Sequence, residues 1–421
     1  MRFRLVCVTF FAYSFGFSQT AADAINANEA YRIITYLASD SLKGRGNFSL
    51  GLEKAATFIA DEFRENNLLS VNDYWEYYQP FIVSDKKYNS FEEVYLNNRL
   101  LPANEYLFLS AVTFPPELQK QDFEVKELIS SDFKTIVDSV SLPHSTSPRI
   151  YLIPDSLHSL LKELQEHRKK IPLTKNIILF VKKPQAFNEL LLRVKPEVRK
   201  STLFNVIGML PGKEKANELI IISAHYDHVG IGKPVAGDSI YNGANDNASG
   251  TAAMLMLANY FAAKNKNDRT ILFVAFAGEE IGLIGSKQLS EALNTKSIVA
   301  MLNFEMLGKP NNNGLENECI ITGSKLKSLP KFFKRIAKQN GITLKEDHYY
   351  EERLYERSDH YPFSKKGVPA YMMINFSRND NTYHQPSDET STLDLDNMCA
   401  ILKGILPAIE ELVSAEFTPK R

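Results

Sequence analysis

The rhythm of apolar and polar positions changes along the chain, and each change predicts a different kind of structure. In LGLEKAATFIADEFRENNLL, residues Leu52, Ala55, Ala56, Ile59, Ala60 and Phe63 recur at spacings of three and four, the stripe of an amphipathic helix. ANEAYRIITYLASDSLKGRG carries the same period, so two helices joined by a Gly-containing loop, Gly44 to Gly51, are expected in residues 20–90. Between about Tyr77 and Lys200 the pattern breaks into short β-rich pieces, YYQPFIV, RIYLI and NIILFVKK. Polar, Pro-bearing connections and one charged helix, LKELQEHRKK, separate them, which reads as an inserted β-rich subdomain over residues 91–200.

From Leu203 onward, over residues 201–421, strand and helix signals alternate. LFNVIGMLPG, LIIISAHYD, RTILFVAFAG, SIVAMLNFEML and VPAYMMINF read as strands. GTAAMLMLANYFAAK, IGLIGSKQLSEAL, KSLPKFFKRIAKQNG and LDNMCAILKGILPAIEELVSA read as helices. Such alternation demands crossover units, so the fold class is α/β: a mixed, mostly parallel central sheet flanked by helices, with the β-rich insertion.

The first residues, MRFRLVCVTFFAYSFGFSQT, combine two arginines, an apolar run from Leu5 to Phe17 that is too short to span a bilayer, and a small, polar end. Residues 1–19 therefore read as a signal peptide cleaved near Ser18 to Ala22, and the mature chain as periplasmic or extracellular. Cys7 would leave with it. Cys319 and Cys399 would remain, able to pair in an oxidising compartment but not required to. With 49 basic against 50 acidic residues, the net charge of -1 gives no support for a nucleic-acid or anionic-membrane partner and points to a small or peptidic substrate.

Five of the apolar runs or their following loops end in a metal-competent side chain: His225, Asp246, the Glu279-Glu280 pair, Glu305 and His384. In an open α/β sheet ligands bind beyond the carboxyl ends of the strands, so these positions converge on one rim. Each has a bland alternative. His225 and Asp227, two apart on an extended segment, leave the same face and suit a ligand oriented by a carboxylate; an exposed polar turn is the alternative. His228 competes with His225 but is expected on the opposite face. Asp246, in a Gly- and Asn-rich loop before a helix, is either a helix cap or a carboxylate shared by two cations. Neighbouring Glu279 and Glu280 diverge in direction, so one can hold metal while the other meets a substrate water; a solvated acidic turn is the alternative. Glu305 closes a run too apolar to host a charge without a cation or a salt bridge. His384 alone, in a polar loop, would be unremarkable.

Taken together and in order, these residues resemble the co-catalytic zinc aminopeptidase family of clan MH, over about Leu203 to Ser387 and weakly at YLASDSLKGRG. The resemblance implies two zinc ions bridged by Asp246, with His225 and Glu305 completing one site and Glu280 and His384 the other. Glu279 would be the general base, Asp227 would support His225, and the substrates would be peptides with a free N-terminus. Ser358-Asp359-His360 looks like the family's segment beside the substrate cleft. Tyr355 matches a tyrosine that stabilises the tetrahedral intermediate in some members, with Tyr383 as its rival. The inserted region stands where many relatives carry a protease-associated domain. One departure is that the position of Glu305 is usually Asp, which moves the carboxylate by about one C–C bond and bears on the second metal. Glutaminyl cyclases share the fold; a cyclase would need a single zinc on Asp246, Glu280 and His384, with Glu305 as an acid. A carboxypeptidase or dipeptidase of the same family is the other alternative.

Overall fold

A computed structural model describes residues 21–71, 76–87, 92–110, 117–128, 136, 148–167, 177–194, 197–311, 314–322, 328–349 and 351–420. The expected signal peptide lies outside them. The chain divides into two compact units, residues 84–200 and the remainder on either side. The insertion thus begins at Ser84, earlier than residue 91.

The larger unit is built on a nine-stranded sheet, whose strands we number in chain order. They are β1 Leu69–Ser70, β2 Tyr78–Lys87, β3 Glu197–Leu210, β4 Lys215–His225, β5 Arg269–Phe276, β6 Ile298–Glu305, β7 Glu318–Ile321, β8 Thr343–Glu346 and β9 Ala370–Ile374. The spatial order is β1-β3-β5-β4-β6-β9-β7-β8, with β2 also paired to β3. The centre, β5-β4-β6-β9, is parallel throughout. β3 runs antiparallel to β5, and β7 antiparallel to β9, which makes the sheet mixed.

The central strands are apolar at nearly every position because both faces are covered. On β4, Ile220, Ile222 and Ala224 join the main core on one face, while Ile221 joins a second core on the other. On β5 the same alternation sends Ile271, Phe273 and Ala275 one way and Leu272, Val274 and Phe276 the other. The helix Gly250–Lys264 is apolar almost all round and buried over most of its length, as a helix enclosed by protein must be. The closing helix, Leu395–Val413, carries Pro407 in its interior. Cys319 and Cys399 are both buried free thiols, not joined to each other; burial pushes the Cys319 thiol up to about 12.

Residues 84–200 form a β-rich unit of two four-stranded sheets. One contains Glu92–Leu96 and Leu190–Val194; the other contains Tyr106–Ser110, Arg149–Ile153 and Ile177–Lys182, with the helix His158–Glu166 beside it. Among the described residues, no helix is long and apolar enough to cross a membrane.

Arg269, fully buried at the start of β5, fastens the C-terminal segment to the sheet. It donates to the carbonyls of Leu412 (2.6 Å) and Phe417 (2.7 Å), to Thr418 Oγ1 (2.5 Å) and to the Glu218 carboxylate (2.6 Å). Arg269→Leu strands those carbonyls without donors and should cost about 3 kcal/mol, read as a lower urea midpoint for this unit.

Candidate metal centre

Each candidate ligand is placed by the end of a central strand or by the loop that follows it. His225 is the last residue of β4 and Glu305 the last of β6, and the parallel register that pairs Ser223 with Asn303 brings the two side chains side by side. His225 Nε2 lies 2.9 Å from Glu305 Oε1 and 3.4 Å from Asp246 Oδ1. The other ring nitrogen, Nδ1, is 3.1 Å from the backbone carbonyl of Asp227 and 3.7 Å from its carboxylate. The Asp227 carboxylate has a different principal task. It accepts the backbone N–H groups of Glu279 (3.2 Å) and Glu280 (3.3 Å) and the Asn47 amide (2.7 Å), and so fixes the turn after β5. Gly278, at φ 75, lets the chain enter that turn.

Asp246 is not a helix cap. It sits in an irregular turn, Ala244–Ser249, whose own side chains tie it down. Asn247 donates to the carbonyl of Phe304 (3.0 Å) and accepts from the N–H groups of Gly250 (3.0 Å) and Met306 (3.1 Å). Asn245 accepts from the N–H of Gly308 (2.9 Å). The loop that carries Asp246 is thus sewn to the end of β6. From behind, the buried Asp388 carboxylate accepts the backbone N–H groups of Asn245 and Asp246, both at 3.0 Å. Sequence reasoning assigned Asp388 no role; its signal was its place four residues after His384, in the one acidic and polar loop that follows β9. Arg45 was likewise missed. Its buried guanidinium donates to four carbonyls, those of Leu37, Tyr226, Asn242 and Gly243, at 2.5 to 2.9 Å, and joins the segment after the helix Ala27–Leu37 to the loops of His225 and Asp246.

His228 corrects the sequence-based expectation. Strict alternation would send it to the far face, but β4 ends at His225; the N–H of Tyr226 still reaches Phe276, whereas that of His228 turns to the carbonyl of Arg45 (3.1 Å). The imidazole therefore faces the site, with Nδ1 2.9 Å from Glu280 Oε1 and 3.7 Å from Asp246 Oδ2. His384 Nε2 lies 3.1 Å from Asp246 Oδ2 and 3.2 Å from Glu280 Oε1. Two donor groups result: His225, Asp246 and Glu305; and His228, Asp246, Glu280 and His384. Asp246 belongs to both and turns one oxygen toward each.

The extra length of Glu305 is taken up by a buried polar chain. Ser358 donates to its Oε2 (2.8 Å) and accepts from the Asn303 amide (2.9 Å), whose oxygen in turn accepts from Ser223 (2.7 Å). Ser358 is thus the member of Ser358-Asp359-His360 that touches a candidate ligand. Asp359 is buried, and its carboxyl is pushed up to about 7 by that burial and by Asp227 and Glu305; burial holds the His360 imidazole down at about 3, neutral. The Tyr355 hydroxyl shares a hydrogen bond with Ser364 and its ring packs against His360. Tyr383 lines the cleft: it stacks on His384 with ring centroids 4.1 Å apart, and its hydroxyl accepts from Arg357 (3.2 Å).

Electrostatics separate the two adjacent glutamates. Burial would raise Glu280, but His228 and His384 hold it down at about 2. Glu279 is raised well above the usual carboxylate range, first by burial and then by Glu305, Asp359 and Glu280, against the pull of His225. It shares a small cleft, of about 50 Å³, with His225, Asp246, Glu280 and Glu305. The rest of that cleft includes Met306, Leu354, Met372, Ile374 and Phe376.

Residues 205–409 match the family model described as peptidase family M28. The matched stretch is just under half of the chain. Among curated proteins, a probable leucine aminopeptidase from Arthroderma otae is 31% identical over 223 residues, which is 50% of this chain and 58% of that protein. The chain therefore spans little more than half the length of the curated relatives it matches. Two solved structures share the fold. An aminopeptidase from Aneurinibacillus sp. strain AM-1 has a TM-score of 0.54 at 21% identity, covering 92% of this chain and 94% of its own. A zinc aminopeptidase from Bacillus subtilis has a TM-score of 0.54 at 19% identity, covering 91% and 95%. At these identities the likeness is one of fold. The M28 match contains all six residues of the two donor groups, Glu279 and Asp388, and leaves out Arg45.

Two outcomes follow. Asp388→Ala frees the backbone of the Asp246 loop, and should weaken zinc binding about 10- to 100-fold in a chelator competition. In the metal-free protein, burial lowers His384 but Asp246 and Glu280 outweigh it and hold the imidazole at about 10, protonated at neutral pH. A metal must displace that proton, so zinc affinity should fall as pH drops and binding at pH 7 should release protons, measured by calorimetry in buffers of different ionisation enthalpy.

Proposed function

We propose that the chain is an exported zinc-dependent aminopeptidase that hydrolyses the bond after the N-terminal residue of peptides. The observation that carries this reading is the placement of Glu279: a carboxylate of raised proton affinity in the small cleft lined by His225, Asp246, Glu280 and Glu305, members of the two donor groups that share Asp246. Support for export comes from the basic-apolar-polar order of residues 1–19.

The donor sets fit zinc. Imidazole nitrogens and carboxylate oxygens are its ordinary ligands, and within each group the donor atoms lie within 4.8 Å of one another. His225, Asp246 and Glu305 would hold one ion; Asp246, Glu280 and His384, with His228 beside them, would hold the other. Zinc when bound supplies Lewis-acid polarisation of the scissile carbonyl and a more acidic water.

The chain's own residues do the rest. Glu279 takes the proton from the attacking water and passes it to the leaving amine, a shuttle that suits a carboxyl whose proton affinity has been raised above the usual carboxylate range. Asp227 keeps it in reach by holding its backbone N–H. Met306, Leu354, Met372, Ile374 and Phe376 offer an apolar niche for the side chain of the substrate's first residue, and its small volume suits a single aliphatic group. Tyr383, with Arg357 donating to its hydroxyl, stands at the cleft where charge develops on the carbonyl oxygen.

Glu279→Gln preserves size and hydrogen bonding but cannot carry the proton. It should retain fold and zinc content and lose about 10²- to 10⁴-fold in kcat on leucine amide. Near-normal turnover with metal bound would reject the base assignment.

A further inference from the structure

We propose that a second, open groove on the His228, Glu280 and His384 side of the centre receives the part of a peptide that follows the scissile bond. It selects a large apolar side chain at the substrate's second residue. This deepens the aminopeptidase reading and rests on it.

The groove, of about 630 Å³, shares Glu280 with the small cleft and is bordered by His228 and His384, so it is continuous with the candidate centre. Its remaining wall presents apolar side chains to solvent: Phe48 is 46% exposed, Val229 37%, Ile231 61% and Ile281 42%. Four such side chains gathered from three separate segments beside a polar centre form a patch, where scattered exposed residues would need no explanation. Lys43 also lines it and places a cation on the side where a short peptide's carboxylate emerges.

The shelf is rigidly built. Lys43, Arg45 and Phe48 all have left-handed backbones, at φ 47, 49 and 65, a conformation disfavoured for such side chains. Surrounding contacts hold it in place. Arg45 is pinned by four carbonyls, and Asn47 donates to Asp227. Gly46 lies so close to Gly230 that a Cβ on it would come within 2.9 Å of the Gly230 Cα, which sets Phe48 next to the Val229–Ile231 strip.

The shapes of the two depressions assign their occupants. An exopeptidase must stop the chain on the N-terminal side and let a product of any length leave on the other. The small apolar cleft can hold only one side chain, whereas the groove opens to solvent and offers a path for continuing chain.

The test compares kcat/KM for leucine amide, Leu-Gly and Leu-Phe on the zinc-loaded full chain. The groove predicts a preference for Leu-Phe over Leu-Gly of about tenfold or more, as expected for an aromatic group filling an apolar site. Phe48→Asn, which keeps a residue tolerant of the left-handed backbone, and independently Ile231→Ser, should each shrink that ratio by about threefold or more and leave leucine amide within about twofold. Equal rates on the two dipeptides, or an unchanged ratio in both variants, overturn the groove while turnover of leucine amide keeps the aminopeptidase reading. No turnover of any of the three with zinc bound rejects both.

Discussion

The structure is organised around one costly constraint: carboxylates and imidazoles are packed together at the carboxyl ends of adjacent parallel strands, away from water. Asp246, Glu305 and His225 are all buried, and Glu279 and Glu280 only partly reach solvent. Like charges at such separations repel, and desolvation penalises each of them. The surrounding protein is arranged to offset this. Every imidazole in the cluster faces a carboxylate, and the backbone of the two acidic loops is held by further carboxylates, Asp227 and Asp388, that accept its N–H groups. Divalent cations are the natural complement of such a cluster, and both donor groups have the chemistry to bind one.

A second consequence concerns rigidity. The candidate ligands arrive from the ends of β4 and β6 and from the loops beside them, and their mutual geometry depends on connections that never touch the cleft. Arg45 ties the segment between the first two helices to those loops; the asparagines of the Asp246 loop tie it to β6. The segment before the insertion is therefore part of the site's support. The β-rich unit has cores of its own, as a domain inserted into a loop requires.

Much of this was legible in the sequence, for identifiable reasons. Apolar runs ending in His225 and Glu305 announced buried parallel strands, because only a strand covered on both faces needs apolar residues in succession. The helix stripe of Leu50–Glu65 and the all-round apolar helix Gly250–Lys264 were equally plain. What periodicity could not convey was direction once a strand had ended. His228 lies three residues past the end of β4, where the chain bends to meet Arg45, and the two-residue rule no longer says which way a side chain points. The antiparallel β3 and β7 were hidden for a related reason: a fully buried strand looks the same in either direction. Asp388 and Arg45 act on backbone groups, which leave no pattern in the residue types they hold.

The centre itself is tested most directly by anomalous diffraction at the zinc edge from crystals grown with zinc. The account predicts zinc density on both sides of the Asp246 carboxylate, one ion against His225 and Glu305 and the other against Glu280 and His384. Zinc absent from Asp246, with the ions held elsewhere, would contradict it.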